Sequence, residues 1–214
     1  MQKVHVGVLG SGDVGRVLAA GFASLGHEVT IGSRDPGKLR EWASASTRIT
    51  AGTFAEAARF GDILVLATLG AGAAEAIQLA GLEAFDGKVL IDATNPLDFS
   101  KGMPPTLFVG TTDSLGEQIQ RLIPKARVVK AFNTVGNAHM INPQFPGGPP
   151  DMFICGNDAD AKKIVSQICD AFGWGVIDLG GIDGSRYLEP MCLVWVLHGA
   201  LSSSWNHAFK MLHK

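Results

Sequence analysis

Residues 10–15 read Gly-Ser-Gly-Asp-Val-Gly, three glycines in the spacing GxGxxG. That spacing has a chemistry. Gly10 permits a tight strand-to-helix turn, Gly12 has no side chain to obstruct a pyrophosphate, and Gly15 lets the helix pack closely on the strand. Backbone N–H groups at the helix start and the positive end of its dipole receive the phosphate charge, with Ser11, Asp13 and Val14 completing the contact segment. Such a turn is informative only between a buried strand and a helix. Both are present, VHVGVL before it and DVGRVLAAGFASLG after it.

About twenty residues further on, a NAD site places an Asp or Glu against the ribose hydroxyls. Here the chain reads Gly32-Ser33-Arg34. A carboxylate would repel a 2′-phosphate, whereas a guanidinium binds phosphate oxygens through a planar fork. Ser33 adds a hydroxyl beside Arg34, and Lys38 adds positive charge. Asp35 falls one residue late and reads as the cap of the next helix, ahead of Pro36. The pattern predicts selection of NADP(H) over NAD(H).

Further contacts are expected beyond the carboxyl ends of the strands, where open parallel sheets bind ligands. Thr68 and Leu69 follow one apolar strand, and Asn95 and Pro96 follow the next. Both pairs should border the cofactor, with Asn95 orienting the nicotinamide or its ribose and Pro96 giving an apolar edge. Asp92 lies within a strand and reads as structural.

The elements that must position these residues are legible as short β-branched runs alternating with Ala-rich helical stretches. Strands are expected at 3–9, 27–32, 47–50, 62–68, 88–93, 126–132, 151–155 and 175–179. Helices are expected at 13–25, 36–45, 53–59, 72–80, 113–122 and 158–172, with a long one over much of 185–212. The alternation predicts an α/β fold, a doubly wound Rossmann sheet that is mostly parallel and covered on both faces. One of the last two strands could run antiparallel at the sheet edge. Residues 1–150 should form the NADP(H)-binding domain. Residues 151–214 should form a smaller carboxy-terminal lobe, dominated by the long helix, that completes the sheet and an acceptor cleft. The stretches 94–112 and 142–150 are rich in proline and glycine and are expected to be irregular.

Lys plus Arg number 18 against 20 Asp plus Glu, a net charge of −2. The balance argues against nucleic acid or an anionic membrane surface as partner. No apolar run reaches the roughly 18–20 residues that span a bilayer, and a soluble, cytoplasmic protein is expected. The three cysteines, Cys155, Cys169 and Cys192, are widely spaced among apolar neighbours and read as buried thiols. His139, His198, His207 and His213 have neither the spacing nor the partners of a metal site, and no metal ligand is expected. The segment MCLVWVLHGALSSSWNHAFKML, apolar almost all round, reads as a buried helix partly covered by a second subunit, hence a homodimer.

With these residues placed, the chain resembles the NADP-dependent oxidoreductases of the coenzyme F420 (deazaflavin) type, and is also similar to the oxidoreductase domain of the STEAP metalloreductases. The matching segments are GHEVTIGSRDPGKL, VVKAFNTVGNAHM, DMFICGNDADAKKIV and VIDLGGIDGSRYLEP. The resemblance implies phosphate contacts from Ser33, Arg34 and Lys38. It also implies an acceptor cleft lined by Phe132, Asn133, Thr134, Val135, Ser185, Arg186, Leu188 and Met191. The implied acceptor is a small-molecule ring, F420 or a flavin such as FMN or FAD. Hydride would pass directly between stacked rings, so no catalytic side chain is named. Two alternatives stay open: an NADPH-dependent reductase of a small carbonyl or imine compound, and a non-catalytic NADPH-binding redox module. The β-hydroxyacid dehydrogenases share the nucleotide turn, but their Lys-x-x-x-Asn order is reversed here as Asn206 then Lys210.

Overall fold

A computed structural model describes residues 2–212 and 214. The strands are β1 (His5–Leu9), β2 (Glu28–Gly32), β3 (Ile49–Gly52), β4 (Ile63–Leu66), β5 (Val89–Asp92), β6 (Leu97–Asp98), β7 (Thr106–Leu107), β8 (Arg127–Lys130), β9 (Asp151–Gly156) and β10 (Gly175–Asp178). The helices are α1 (Asp13–Ser24), α2 (Arg40–Ala43), α3 (Phe54–Phe60), α4 (Ala73–Ala80), α5 (Leu115–Leu122), α6 (Ala159–Ala171) and α7 (Ser185–Ser202). Eight strands form one sheet in the order β10-β9-β8-β5-β4-β1-β2-β3. From β8 to β3 every pairing is parallel. The chain runs outward from β1 to β3 and then crosses to β4 on the other side. That reversal opens a crevice at the carboxyl ends of β1 and β4.

Alternation along the strands sends side chains into two cores. On one face Val6, Val8, Val65, Ile91 and Val129 meet Leu18 and Phe22 of α1 and Val165 and Ile168 of α6. On the other Leu9, Leu64, Leu66, Leu90 and Val128 meet Phe54 of α3, Ile77 of α4 and Ile119 of α5. Helix starts are set by side-chain caps: Thr53 and Glu56 form a reciprocal capping box on α3, Ser114 caps α5, and Asp158 caps α6.

Three local features differ from what the sequence predicts. Both terminal strands, not one, run against the rest: β9 is antiparallel to β8, and β10 is parallel to β9. Residues 131–150 contain one short 3-10 turn and no α-helix, so nothing returns the chain across the sheet before β9. The helix expected at 36–45 is a 3-10 turn over Pro36–Leu39 followed by α2, with Asp35 accepting from the N–H of Gly37 as the expected cap. The stretch 94–112 is not wholly irregular, since β6 and β7 pair there as a small antiparallel hairpin.

The last helix is also shorter than expected. It ends at Ser202, with Ser203 in the left-handed region at φ 52°. Serine hydroxyls compete with backbone bonding, and Ser202 Oγ donates to the His198 carbonyl. The following residues fold back instead. Trp195 Nε1 donates to the His207 carbonyl, and the Phe209 carbonyl accepts from the N–H of Asp151. Nor is α7 buried all round: Tyr187, Val194, Leu197 and Leu201 are exposed. Among the described residues no helix is long and apolar enough to cross a membrane.

Candidate functional site

The crevice at the carboxyl ends of β1 and β4 is a cleft of about 570 Å³. Its floor is the glycine turn. Gly10 has φ +132°, and a Cβ there would strike the carbonyl of Ala67. A Cβ on Gly15 would strike the carbonyl of Gly10, so α1 packs on the strand at backbone distance. Gly12 differs: a Cβ there would meet no atom within 4 Å. It caps α1 without a side chain, leaving the N–H groups of the first turn facing open space. A phosphate has room and donors at that point.

The structure brings together most of the residues singled out from the sequence. Gly10, Ser11, Gly12, Asp13, Val14, Ser33, Arg34, Thr68 and Leu69 all line this cleft. Ser11 Oγ donates to Ser33 Oγ at 3.3 Å, and Ser33 Oγ also accepts from the N–H of Asp35 at 3.1 Å, fixing the hydroxyl at the tip of β2. Thr68 Oγ1 is buried without a partner, a polar atom that a ligand group would satisfy. Leu69 is 84% exposed and offers an apolar surface at the rim. The donor set and the open turn fit a phosphorylated dinucleotide. Lys38 lies outside the cleft, exposed, with its ammonium 3.5 Å from Asp35. Glu75 of α4 lines the cleft 3.9 Å from Arg34, and the sequence reading missed it because nothing in the chain order relates the two.

A second cavity of about 370 Å³ adjoins the first and shares Val14, Ala93 and Asn137 with it. Asn95, Leu97, Phe132, Asn133 and Val135 line one part of it; Cys192, Trp195 and Val196 from α7, with Trp205 and Asn206 from the returning tail, line another. Among the described residues none that lines it is charged. Asn95 Nδ2 donates to the Asn133 carbonyl at 2.7 Å, and Asn133 Nδ2 donates back to Asn95 Oδ1 at 3.0 Å and to the Leu188 carbonyl at 2.9 Å. Phe132, at φ 61°, turns the chain just after β8, a conformation rare for a bulky residue. The Trp195 and Trp205 rings lie 5.3 Å apart. Gly136 and Gly199 make room for them, since a Cβ on either would press on an indole. Burial pushes the Cys192 thiol up to about 12, so it is a neutral apolar contact here.

Other expected site residues are not brought to either cavity. Pro96 is buried, and its carbonyl accepts from Phe108 to hold the hairpin. Thr134 is buried outside both linings. Ser185 is fully buried, with Oγ 3.3 Å from Cys155 Sγ. Arg186 forms a two-pronged pair with Glu117 at 2.8 and 2.6 Å, which holds the Glu117 carboxyl below its ordinary value. Met191 packs with Phe153, Leu188 and Phe209. Ser185, Arg186 and Met191 thus hold α7 against α5 and β9. His139 Nε2 lies 3.1 Å from Asn206 Oδ1, one residue removed from the lining. His198 and His207 pack edge to face, and Lys210 donates to the Pro149 carbonyl. His213 lies outside the described residues. Among those described, no group of three or more His, Cys, Asp or Glu could hold a metal ion.

A buried ion cluster takes in Asp92, just before Asn95 in the chain. Lys130 Nζ is 2.8 Å from Asp92, 3.1 Å from Glu189 and 2.9 Å from the Thr94 carbonyl that it donates to. Desolvation alone would lower the lysine pKa, but the two carboxylates outweigh it and hold the ammonium above its ordinary value. Asp92 also accepts from the N–H and hydroxyl of Thr94. The cluster thus fixes the backbone that leads into Asn95.

Comparison with known proteins follows the same lines. The family described as NADP oxidoreductase coenzyme F420-dependent matches residues 5–96. The F420-dependent NADP reductase of Methanothermobacter marburgensis is 32% identical over 194 residues, covering 85% of this chain and 86% of that protein. Metalloreductase STEAP3 of Rattus norvegicus is 30% identical over 192 residues, 90% of this chain, but the chain spans only 37% of the rat protein. A crystal structure from Arthrobacter sp. FB24, of a protein proposed to be an F420-dependent NADP reductase, superimposes with a TM-score of 0.94 at 42% identity. It covers 99% of this chain and 100% of its own.

Proposed function

Because the chain belongs to the family of F420-dependent NADP oxidoreductases, and is by that membership an NADP-dependent oxidoreductase, we propose that it passes hydride between NADP(H) in the larger cleft and a deazaflavin ring in the smaller cavity. One observation supports this above others: the two cavities adjoin, with Val14, Ala93 and Asn137 in both linings. A turn suited to phosphate therefore stands beside an uncharged space with aromatic side chains in its wall. Bound NADPH supplies the hydride, and the protein's task is to align and shield two rings.

In this reading the first turn of α1 receives the pyrophosphate, and Gly12 leaves it room. Ser33 and Arg34 hold the 2′-phosphate. Thr68 and Leu69 border the adenosine half. Asn95, locked by Asn133, presents a polar edge to the nicotinamide half. Trp195 and Trp205 give the acceptor ring an apolar aromatic surface. No side chain has to move a proton for hydride to pass.

The direct test is NADPH oxidation with F420, FMN and FAD offered separately. Turnover is expected with F420 and poor with the flavins; no turnover with F420 overturns the proposal. Arg34→Ala should weaken NADPH binding at least tenfold, the scale of a charge-assisted contact, and leave NADH nearly unaffected. Trp205→Ala should raise the KM for the acceptor by about three- to tenfold, the scale of an aromatic stacking contact, with the Kd for NADPH unchanged. Equal effects on both ligands would show that Trp205 only supports the fold.

A further inference from the structure

The carboxylate absent from the tip of β2 reappears in the same cleft from another element. Glu75, in the first turn of α4, places Oε2 3.9 Å from Arg34 Nη1, and both side chains line the cleft. Both are well exposed, at 74% for Arg34 and 59% for Glu75, so the pair is weak and can open. The neighbouring cation is matched as well, since Lys38 faces Asp35 and not the cleft. Among the described residues of the lining, Arg34 is the one cation, set against Asp13 and Glu75.

We propose that Glu75 sets the strength of 2′-phosphate recognition by competing internally for the Arg34 guanidinium. The inference rests on the reading that Arg34 receives that phosphate. A phosphate monoester carries more charge than a carboxylate and matches the guanidinium fork, so it displaces Glu75. It must first break the resident pair and then lie close to a freed carboxylate. NADH has no phosphate to place there and leaves the pair intact. Glu75 therefore acts through Arg34 and tempers the preference for the phosphorylated cofactor.

The test is titration of wild type, Glu75→Gln, Arg34→Ala and the double variant with NADPH and NADH at fixed ionic strength. Glu75→Gln is expected to tighten NADPH about two- to fivefold, the scale of an exposed ion pair, without tightening NADH. In the Arg34→Ala background the same change should have no effect on NADPH, because the competitor has lost its target. A wild-type ratio of NADPH to NADH affinity persisting in Glu75→Gln overturns the proposal. So does weaker binding of both cofactors, which would mark Glu75 as a direct contact, or tightening that survives without Arg34. A wild-type protein that binds NADPH no better than NADH fails earlier, at the phosphate reading itself, and is recognised before any variant is made.

Discussion

Gly12→Val is expected to raise the Kd for NADPH at least a hundredfold, roughly 2.7 kcal/mol, while leaving the fold intact. The backbone at Gly12, φ −72° and ψ −176°, is extended and open to any residue. A Cβ there meets nothing within 4 Å, so the substituted protein has no clash to relieve. Valine caps a helix less well than glycine, which should cost no more than about 1 kcal/mol. The added methyls would instead occupy the space in front of the α1 N–H groups. Gly10 and Gly15 behave oppositely: their side chains would collide with carbonyls, and Gly10 has a left-handed φ as well. Gly10→Val should therefore lose stability first and binding as a consequence. The three glycines of one motif thus separate into two that build the turn and one that faces the ligand. Fluorescence titration with NADPH and urea denaturation of both variants make the comparison. Near wild-type affinity in Gly12→Val would mean that the pyrophosphate does not lie on this turn.

That separation bears on how much of the site the sequence could disclose. The glycine spacing, Ser33, Arg34, Thr68, Leu69 and Asn95 were legible because strand ends and the turn after β1 are local features, and the topology carries them all to one edge. The eight strands were likewise readable as β-branched runs. What was not legible depends on neighbours distant in the chain. The reversed direction of β9 follows from the lack of a helix in residues 131–150, where an apolar run alone reads the same in either direction. Arg186 reads as free for a ligand in the sequence, but Glu117, 69 positions earlier, holds it. Trp205 was expected on a helix and is found on the returning tail, because the three serines at 202–204 end α7 and Trp195 then grips His207. Glu75 had no sequence signal at all, as its meaning depends on the 3.9 Å that separates it from Arg34.

Lys130→Met is expected to lose about 3–5 kcal/mol of stability, the usual cost of removing one partner from a buried ion pair. The residue is fully buried, and its ammonium joins Asp92 on β5, Glu189 on α7 and the Thr94 carbonyl. Glu189 is tied further, accepting from the N–H groups of Leu115 and Gly116 at the start of α5. Without the cation two carboxylates remain in the interior with no countercharge, and methionine fills the volume but not the electrostatic role. The added substitutions Asp92→Asn and Glu189→Gln should restore part of the loss, because the cost comes from uncompensated charge more than from a missing contact. The pH dependence follows from the sign of the shift. The folded pKa of Lys130 is raised, so its contribution is complete below the ordinary value of 10.5 and is lost as pH rises through the higher folded value. Wild-type stability from this cluster should therefore fade only in strong alkali. The deficit of Lys130→Met should shrink over the same alkaline range, because the wild-type protein then loses the charge that the variant already lacks. Urea denaturation of both proteins across the pH range reads this directly. A constant difference between them at every pH would mean that Lys130 contributes by packing, and that the loop into Asn95 is not held by charge.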